Sequence, residues 1–497
     1  MKPDSDSPAL PEPADEPSLA SAVPPDAAAA SRGLLEEPPT PPGVWNLIKL
    51  AAPMVAIQTT HVVMQFTDAF MVKELGADAL AAILPAGLVF WIPIAFAYGF
   101  LSSINTFVAQ CLGKTDFPGC GHYTWQGIIL AALYGTAVLA LWPLAPAIFA
   151  QLGHSAAVQA LEVEYFQICL LSGGVFLVLQ ALSNFYIGIH RPGLLFWFAA
   201  GGAILNIGLN YVLIFGHFGF PELGFAGAAW GTVLATAAQC LALLVHFLTG
   251  ARASAFLTRR VRVEWRAMWE MVRIGFPTGL QILFDLMSWG VALVWLVGWF
   301  GTVHLAATTI VVRYMHLSFM PAVGVGQVLQ ALVGRAIGSG DPETANQHAY
   351  TAFRLCIAYM VLMAIGFVLF REQLIDLFVK TGEPDATEII HIGAGVFIIA
   401  GIFQAFDAIG IVFVNALRGA GDTLWPAVVT GVMCVSIFIG GGVLVATYVP
   451  ALESWGPWLM GMVYIIPLSL VLWARWVWGP WRTISIFDAR RSQPETA

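Results

Sequence analysis

Charge is the scarcest feature of this 497-residue sequence. Only 10% of its residues are Asp, Glu, Lys or Arg, whereas an ordinary soluble domain carries about 25%. Hydrophobic residues make up 58% of the chain, and the mean hydropathy is +0.78. A chain with so few charges cannot cover a water-exposed surface of this size, so the composition indicates an integral membrane protein.

The sequence also lacks the motifs of common enzymes. Its six cysteines are scattered without a C-x-x-C pair, and its ten histidines form no H-E-x-x-H or similar metal-ligand spacing. We find no phosphate-binding Walker loop, G-x-S-x-G elbow or kinase signature. These absences predict no enzymatic activity, no resident cofactor and no nucleic-acid partner. If the protein is a transporter, an ion gradient or a partner has to supply its energy.

Long apolar segments fill most of the chain. A helix needs roughly 20 apolar residues to cross a bilayer, and the sequence predicts transmembrane segments centred on 47–72, 79–112, 125–152, 165–190, 194–216, 225–248, 268–300, 303–337, 351–371, 389–415, 425–449 and 456–478. The predicted fold is therefore all-α, with twelve transmembrane helices.

An internal repeat divides these helices into two sets of six. Leu80-Ala81-Ala82 recurs as Leu305-Ala306-Ala307. In the same register, the matching pairs are Gly99 and Gly324, Val108 and Val333, Gly113 and Gly338, and Asp116 and Asp341; one residue out of register, Pro53 matches Pro277. Because six is even, both sets enter the membrane in the same direction, which predicts two parallel-related bundles of the kind found in secondary transporters.

The distribution of basic residues predicts the orientation. Positively charged loops are retained in the cytoplasm, and one side of the twelve-helix arrangement collects Lys114, Arg191, Arg252, Arg259, Arg260, Arg262, Arg266, Arg335, Arg418, Arg475, Arg482, Arg490 and Arg491. The opposite loops hold only Lys73, Arg371 and Lys380, diluted by acidic residues. We therefore expect a multi-pass protein with both termini in the cytoplasm.

Composition changes along the chain predict five regions. Residues 1–43 are rich in Pro, Ala, Ser and acidic residues, which predicts a disordered cytoplasmic tail. An N-terminal six-helix lobe (44–250) and a C-terminal lobe (268–480) follow, separated by a basic cytoplasmic linker (251–267). The linker fits either an amphipathic segment along the membrane surface or a solvated loop. Residues 481–497 form a second cytoplasmic tail.

Ionisable residues inside membrane spans are costly and therefore indicate function. Asp285 lies in the seventh predicted span and Asp407 in the tenth, while Asp68 lies in the outer part of the first. Asn206 and Asn210 are four residues apart in the fifth span, so they share a helix face. Each also has a structural interpretation.

In the structural interpretation, Arg313 of the eighth span neutralises Asp285 and Asp407, and the two asparagines hydrogen-bond to neighbouring helices. Asp68, close to Lys73, could reach the membrane interface. In either case, Arg313 is the predicted charge partner of the carboxylates.

Several motifs in this order resemble the multidrug and toxic compound extrusion (MATE) family, in its NorM-type branch. Over about residues 45–480, they are Leu50-Ala51-Ala52-Pro53, Phe66-Thr67-Asp68, Leu80-Ala81-Ala82, the segments 206–216 and 221–224, Phe284-Asp285, the segment 333–338, Asp407 and the segment 417–423. The resemblance implies two six-helix lobes that open alternately to either side. It also implies a first-lobe cation site at Asp68, Asn206 and Asn210, and a second-lobe site at Asp285 and Asp407.

One position departs from the family pattern. The Na⁺-binding form of the family can carry a Tyr one turn before the tenth-span Asp, whereas this chain has Phe403. A Na⁺ ion needs several oxygen ligands, and neither Phe403 nor Ile411 supplies one from its side chain. Na⁺ could bind at Asp285, Asp407 or Asp68, but we expect protons to drive transport more than Na⁺ does.

The sequence thus predicts a cation-coupled antiporter that exports amphipathic, often cationic, drugs and toxic organic compounds. Its expected partners are small organic molecules, a coupling cation (H⁺ or Na⁺) and the lipid bilayer. We expect a monomer in the inner membrane. The alternatives are a lipid-linked saccharide flippase, whose cavity would need several basic residues, and a membrane-embedded aspartyl enzyme.

Overall fold

Twelve long helices account for nearly all of the described chain. The computed structural model describes residues 40–379 and 385–487, and within them it has 12 helices that are long and apolar enough to cross a membrane. The all-α, twelve-helix prediction is therefore confirmed. Most of the two predicted tails, 1–39 and 488–497, lies outside the described residues, as do Lys380 and Glu383.

The first half contains the helices α1 (Val44–Lys73), α2 (Ala77–Leu101, continued by Ser103–Gly113), α3 (Phe117–Ala150), α4 (Ala156–Gly188), α5 (Pro192–Phe215) and α6 (Gly224–Thr249). The second half contains α7 (Trp265–Gly298), α8 (Thr302–Gly338), α9 (Pro342–Leu369), α10 (Ala386–Ala420), α11 (Leu424–Tyr448) and α12 (Trp455–Trp478). A short helix, Arg371–Asp376, follows α9. Because the number of helices is even, the chain enters α1 and leaves α12 at the same end of the bundle. We call this end the terminal face.

Matching residues start equivalent helices in the two halves. Asp116 caps α3 by accepting a hydrogen bond from the Gly119 N–H at 2.9 Å, and Asp341 caps α9 by accepting one from the Thr344 N–H at 3.0 Å. An N-terminal cap of this type satisfies a backbone donor that the helix itself leaves unpaired. The sequence repeat is therefore also a structural repeat.

Glycines allow the two halves to approach each other at the terminal face. A Cβ added to Gly113 would collide with the Arg335 carbonyl oxygen, and one added to Gly338 would collide with the Gln110 carbonyl oxygen. The second contact is the first one with the halves exchanged, since Gln110 and Arg335 are matching positions of the repeat. These reciprocal contacts place a pseudo-two-fold axis between α2 and α8.

Side-chain hydrogen bonds follow the same symmetry. Asn105 donates to the Gln327 carbonyl oxygen at 3.0 Å, and Gln330 donates to the Ser102 carbonyl oxygen at 2.9 Å. Thr106 adds a hydrogen bond to the Arg418 carbonyl oxygen at 2.9 Å. Among the described residues, the hydrogen bonds from side chains of one half to the other lie between the terminal face and the middle of the helices. The two halves are thus locked together at the terminal face.

The segment that contains most of the predicted linker is packed against the protein. Phe256 and Thr258 are buried, and the Trp125 indole donates to the Thr258 carbonyl oxygen at 2.7 Å. Gln126 of the same helix donates to the Arg262 carbonyl oxygen at 2.6 Å. These contacts hold the segment between α6 and α7 against the terminal end of α3.

A C-terminal strap, residues 481–487, crosses the terminal face. Trp481 stacks on Trp476 of α12 with ring centroids 3.8 Å apart. At its far end, Phe487 contacts Phe107 and Tyr123 of the first half, with ring centroids 5.8 Å away in each case. The Lys114 ammonium lies 3.9 Å from the centre of the Phe487 ring. The strap therefore joins α12 to helices of the opposite half.

Candidate functional site

Two carboxylates lie close to each other within the second half. Asp285 belongs to α7 and Asp407 to α10, both near the middle of their helices and both partly buried. The Tyr464 hydroxyl of α12 donates a hydrogen bond to Asp285 Oδ1 at 3.3 Å. Asp407 lies within electrostatic range of both Asp285 and Tyr464. The structure therefore brings together the two second-half residues that the sequence singled out.

Arg418 provides the positive charge of this site. Its guanidinium lies within electrostatic range of Asp285, and Nη2 donates to Gln281 Oε1 at 2.8 Å. Gln281 in turn donates to the Thr430 hydroxyl at 3.0 Å. Among the described residues, the buried Nε of Arg418 has no hydrogen-bond partner. The cluster therefore contains two carboxylates and one guanidinium, with Asp285 within electrostatic range of both Arg418 and Asp407.

Arg313, the predicted charge partner, lies elsewhere. Its side chain is exposed on α8, and within the described chain no ion pair involves it. Arg418 instead lies within electrostatic range of Asp285. The sequence contained the signal, because Arg418 lies in the Leu417-Arg418-Gly419 motif. We predicted that the tenth span ends at 415, whereas α10 continues to Ala420 and carries Arg418 inside the bundle.

An aromatic cluster includes residues one helical turn from each carboxylate. Phe403 is buried, and its ring lies 5.6 Å from that of Trp289. Trp289 also contacts Phe438 at 5.1 Å and Trp458 at 6.1 Å. The sequence predicted that Phe403 leaves no hydroxyl one turn before Asp407, but it did not identify Tyr464. This residue brings a hydroxyl to the site from α12.

Helix irregularities flank Asp285. The segment Met287–Ala292 of α7 and the segment Cys434–Gly440 of α11 are both π-helical. They meet where the Ser288 hydroxyl lies 2.7 Å from the Cys434 sulfur. Wide turns of this kind occur most often at functional sites, because they re-aim side chains and loosen the regular backbone ladder.

The first half holds a smaller polar cluster. Asn210 Nδ2 donates to Asp68 Oδ1 at 2.6 Å and lies 3.4 Å from Asn206 Oδ1. Asn206 donates to the Thr232 hydroxyl of α6 at 3.3 Å. Both asparagines are buried, and Asn210 Oδ1 has no partner within the described residues. The three residues that the sequence assigned to this site are therefore in contact.

The two clusters belong to different halves, and no recorded hydrogen bond between described residues connects them. The described chain also contains no group of three or more His, Cys, Asp or Glu side chains that could hold a metal ion. The arrangement can exchange protons or hold monovalent cations at separate carboxylates, one with amide partners and a pair with a guanidinium.

Comparison with known protein families identifies this scaffold. The MatE family model matches residues 53–212 and 277–441, one match in each half. The chain belongs to the MatE family. Its two family matches coincide with the two structural repeats, so the repeat inferred from the sequence is the family's own unit.

Curated MatE relatives align along most of their length. A protein of Rhizobium meliloti described as a probable multidrug resistance protein NorM is 32% identical, over 76% of this chain and 81% of the relative. A protein of Agrobacterium fabrum with the same description is 29% identical, over 80% of this chain and 87% of the relative.

Solved structures share the fold. A MOP superfamily transporter from Pyrococcus furiosus superposes with a TM-score of 0.80 at 20% identity, covering 93% of this chain and 100% of that one. A multidrug resistance MATE family transporter solved in an outward-facing conformation gives a TM-score of 0.78, also at 20% identity, over 88% of this chain and 96% of that one. The architecture is that of MATE transporters.

Proposed function

We propose that this protein is an antiporter that exports amphipathic, often cationic, organic compounds in exchange for inward-moving protons. The observation that carries the proposal is the second-half cluster, in which Asp285 lies within electrostatic range of both Asp407 and the Arg418 guanidinium. The multidrug resistance description of the curated relatives supports the substrate class.

The charge balance of this cluster explains how exchange would work. Two carboxylates and one guanidinium leave one net negative charge among apolar side chains, where an unbalanced charge is costly. Either a proton or an organic cation can neutralise it. Because both ligands use the same charge, binding of one favours release of the other, and this competition couples export to proton entry.

Proton coupling fits the second-half cluster better than Na⁺ coupling. Na⁺ requires several oxygen ligands, but the side chains one turn before and after Asp407 are Phe403 and Ile411. Phe403 is held in the aromatic cluster with Trp289, and the Tyr464 hydroxyl is engaged with Asp285. A proton needs only one carboxylate oxygen.

The first-half cluster is the better candidate for a Na⁺ ion. Asp68 and the unpartnered Asn210 Oδ1 are two oxygen atoms within one hydrogen-bonded group, and Asn206 adds a third. The same unpartnered oxygen could accept the proton of a neutral Asp68. In either role, the first-half cluster binds a cation separately from the exchange at Asp285 and Asp407.

The reciprocal contacts at the terminal face support alternating access. Export requires the halves to separate at this face to admit substrate, which breaks the hydrogen bonds of Asn105, Thr106 and Gln330. Substrate or proton binding would have to supply the free energy of this separation by shifting the population between the two conformations. Two six-helix lobes, 44–250 and 268–480, then act as the moving units.

The terminal face is the cytoplasmic side in this proposal, and the membrane is the inner membrane of a bacterial cell. Basic loop residues at this face support the orientation. A cysteine at Arg260 should react with a permeant but not an impermeant thiol reagent in whole cells, while one at Gln151 should react with both. Equal reaction of both positions with the impermeant reagent would contradict it.

The alternatives lose support. A lipid-linked saccharide flippase would need several basic residues around its transport cavity, whereas Arg418 is the cation of the described second-half cluster. An aspartyl enzyme has no need of the repeated bundle. The multidrug resistance relatives point to a transporter instead of an enzyme.

Drug susceptibility in an efflux-deficient host tests the function. The wild-type chain should raise the inhibitory concentration of several cationic amphipathic drugs, and Asp407→Asn should remove the effect at equal membrane abundance. Glu164→Gln, at an exposed carboxylate of α4, is the matched control and should behave as wild type. No resistance to any drug in the panel would overturn the proposal.

The coupling ion is tested in proteoliposomes. In the absence of Na⁺, a pH gradient with the acidic side inside the vesicles should drive uptake of a cationic dye. This uptake occurs through transporters whose terminal face points outward. Uptake that requires a Na⁺ gradient and survives collapse of the pH gradient would replace proton coupling with Na⁺ coupling.

A further inference from the structure

A cavity outside both carboxylate clusters opens at the terminal face of the first half. Its volume is about 630 Å³. Residues of α1, α4, α5, α6 and the segment after α6 form its walls, including Lys49, Arg191, Trp197 and Arg252. Because none of these belongs to either carboxylate cluster, the export mechanism leaves the cavity unexplained.

The described residues that line the walls are basic or uncharged. Lys49, Arg191 and Arg252 contribute three cations, and no described residue that lines the cavity is acidic. Both arginines also take part in other interactions, so a ligand would share them. Burial and the nearby Arg335 lower the pKa of His190 to about 3. His190 therefore stays neutral at physiological pH, and the basic side chains of the lining are Lys49, Arg191 and Arg252.

The beginning of α5 lies in the same wall, where the Gly193 N–H is a backbone donor. Arg191 and Pro192 start this helix, and no side chain caps its first turn. At Gly193 the wall is open, since an added Cβ would meet only Pro53, at 4.0 Å. The partial positive charge of a helix N-terminus favours an anion, in agreement with the three basic side chains.

One side of the cavity faces the region where lipid would lie. Trp197, which lines it, is 74% exposed. Trp45, beside the Lys49 ammonium at 5.5 Å, is 66% exposed. Exposed tryptophans at the ends of transmembrane helices mark the membrane interface. A ligand that places an anionic group on the cations and an apolar chain beside Trp197 would satisfy both surfaces.

We propose that this cavity binds the headgroup of an anionic phospholipid, with its phosphate between Lys49, Arg191 and Arg252 and an acyl chain along Trp197. Basic pockets between transmembrane helices are the usual sites for such headgroups. The exposed aromatic wall distinguishes a lipid from free phosphate, which needs no apolar surface. The site is independent of the proposed transport activity, so binding is measured without transport.

The test uses the full-length protein in neutral detergent, titrated with phosphatidylglycerol and followed by its thermal unfolding midpoint and by native mass spectrometry. Wild type should bind phosphatidylglycerol in preference to phosphatidylcholine. Each cation near an anionic lipid contributes about 1 kcal/mol, or about fivefold in affinity. Lys49→Gln should therefore weaken binding about fivefold and Lys49→Gln with Arg252→Gln about 25-fold, while Lys49→Arg should retain it.

Matched controls separate this site from the general charge of the face. Arg260→Gln with Arg482→Gln removes two cations outside the cavity lining and should leave the affinity unchanged. Equal weakening by this pair would overturn the proposal. So would equal stabilisation by inorganic phosphate, which would indicate a free-anion site.

The acidic N-terminal segment is the competing occupant. Residues 1–39 contain Glu36 and Glu37 close to the start of α1. If the segment occupied the cavity, Glu36→Gln with Glu37→Gln in the full chain would raise the affinity for phosphatidylglycerol fivefold or more. The lipid proposal expects no change.

Discussion

The two halves of this protein share a scaffold but carry different chemistry. Gly188 approaches Val108 and Asn105 in the first half as Gly419 approaches Val333 and Gln330 in the second. In that register the counterparts of Asp407 and Arg418 are Phe176 and Ile187. In the register of Pro53 and Pro277, the counterpart of Asp285 is His61.

The comparison separates what symmetry requires from what function requires. Close approach at a pseudo-two-fold axis constrains small residues in both halves, because each contact is made twice. The symmetry does not constrain the positions of charged residues in this way. The second-half cluster places a carboxylate pair, a guanidinium and a tyrosine hydroxyl together, whereas the first-half cluster holds one carboxylate with amides. We infer that exchange is concentrated in the second half.

The largest expected effect compares single carboxamide substitutions in the two halves. Asp407→Asn and Asp285→Asn should each reduce gradient-driven efflux about 100-fold, at the upper range of a coupling free energy between sites. Both proteins should insert normally, since removing a charge lowers the cost of membrane insertion. Initial rates of dye transport in proteoliposomes, normalised to protein, measure the effect. A transport rate within twofold of wild type for either variant would contradict the inference that exchange is concentrated in the second half.

Arg418 should matter through its charge. The Arg418 guanidinium lies within electrostatic range of Asp285, so Arg418→Gln removes the positive charge that offsets this carboxylate. The variant should have a lower unfolding midpoint and transport about tenfold more slowly. Adding Asp285→Asn should restore part of the lost stability, because the uncompensated carboxylate is gone. Thermal unfolding of both single variants and the double variant measures this coupling. Losses of stability that simply add in the double variant would contradict this coupling. As a control, Arg313→Gln should have little effect on stability or transport.

Asp68→Asn should have a smaller effect, about fivefold on transport. Asn210 can still donate to the new amide oxygen, so the fold is kept. Any stimulation of wild-type transport by Na⁺ should disappear in Asp68→Asn and persist in the slow residual transport of Asp285→Asn. The opposite pattern would move the Na⁺ site to the second half.

The smallest effect concerns the helix caps. Hydrogen bonds from Thr344 hold the pKa of Asp341 below its usual range. A depressed carboxyl pKa contributes stability above the unfolded-state pKa, and this is lost as pH falls through the folded-state pKa. Asp341→Asn should therefore lower the unfolding midpoint slightly at neutral pH, and the difference should vanish in acid. A difference independent of pH would contradict the charge-based explanation.

Hydropathy and the repeat predicted the helices well, because both follow from the local need to satisfy backbone groups in lipid. The grouping of Asp285 with Asp407, and of Asp68 with Asn206 and Asn210, came from the family resemblance. Arg418 and Tyr464 escaped prediction for different reasons. Arg418 lay beyond the predicted end of an apolar run, and Tyr464 is an ordinary aromatic residue until three helices pack around it.

The linker shows what amino-acid composition alone does not predict. Its basic and aromatic residues fitted both a surface helix and a solvated loop, but backbone acceptors at Thr258 and Arg262 attach it to α3. No pattern within the segment reports on donors supplied by Trp125 and Gln126 more than a hundred positions earlier. Long-range partners of this type become visible only in three dimensions.

The C-terminal strap has a practical consequence for handling the protein. Its last described residue, Phe487, is wedged among Phe107, Tyr123 and Lys114 of the opposite half. A purification tag or fluorescent reporter joined directly after Phe487 would disturb the contacts that this ring makes with the first half. Reporters are better attached beyond Ala497 through a flexible spacer. Proteolysis near Arg482 would remove the contacts of the strap with the first half and leave the membrane-spanning helices uncut.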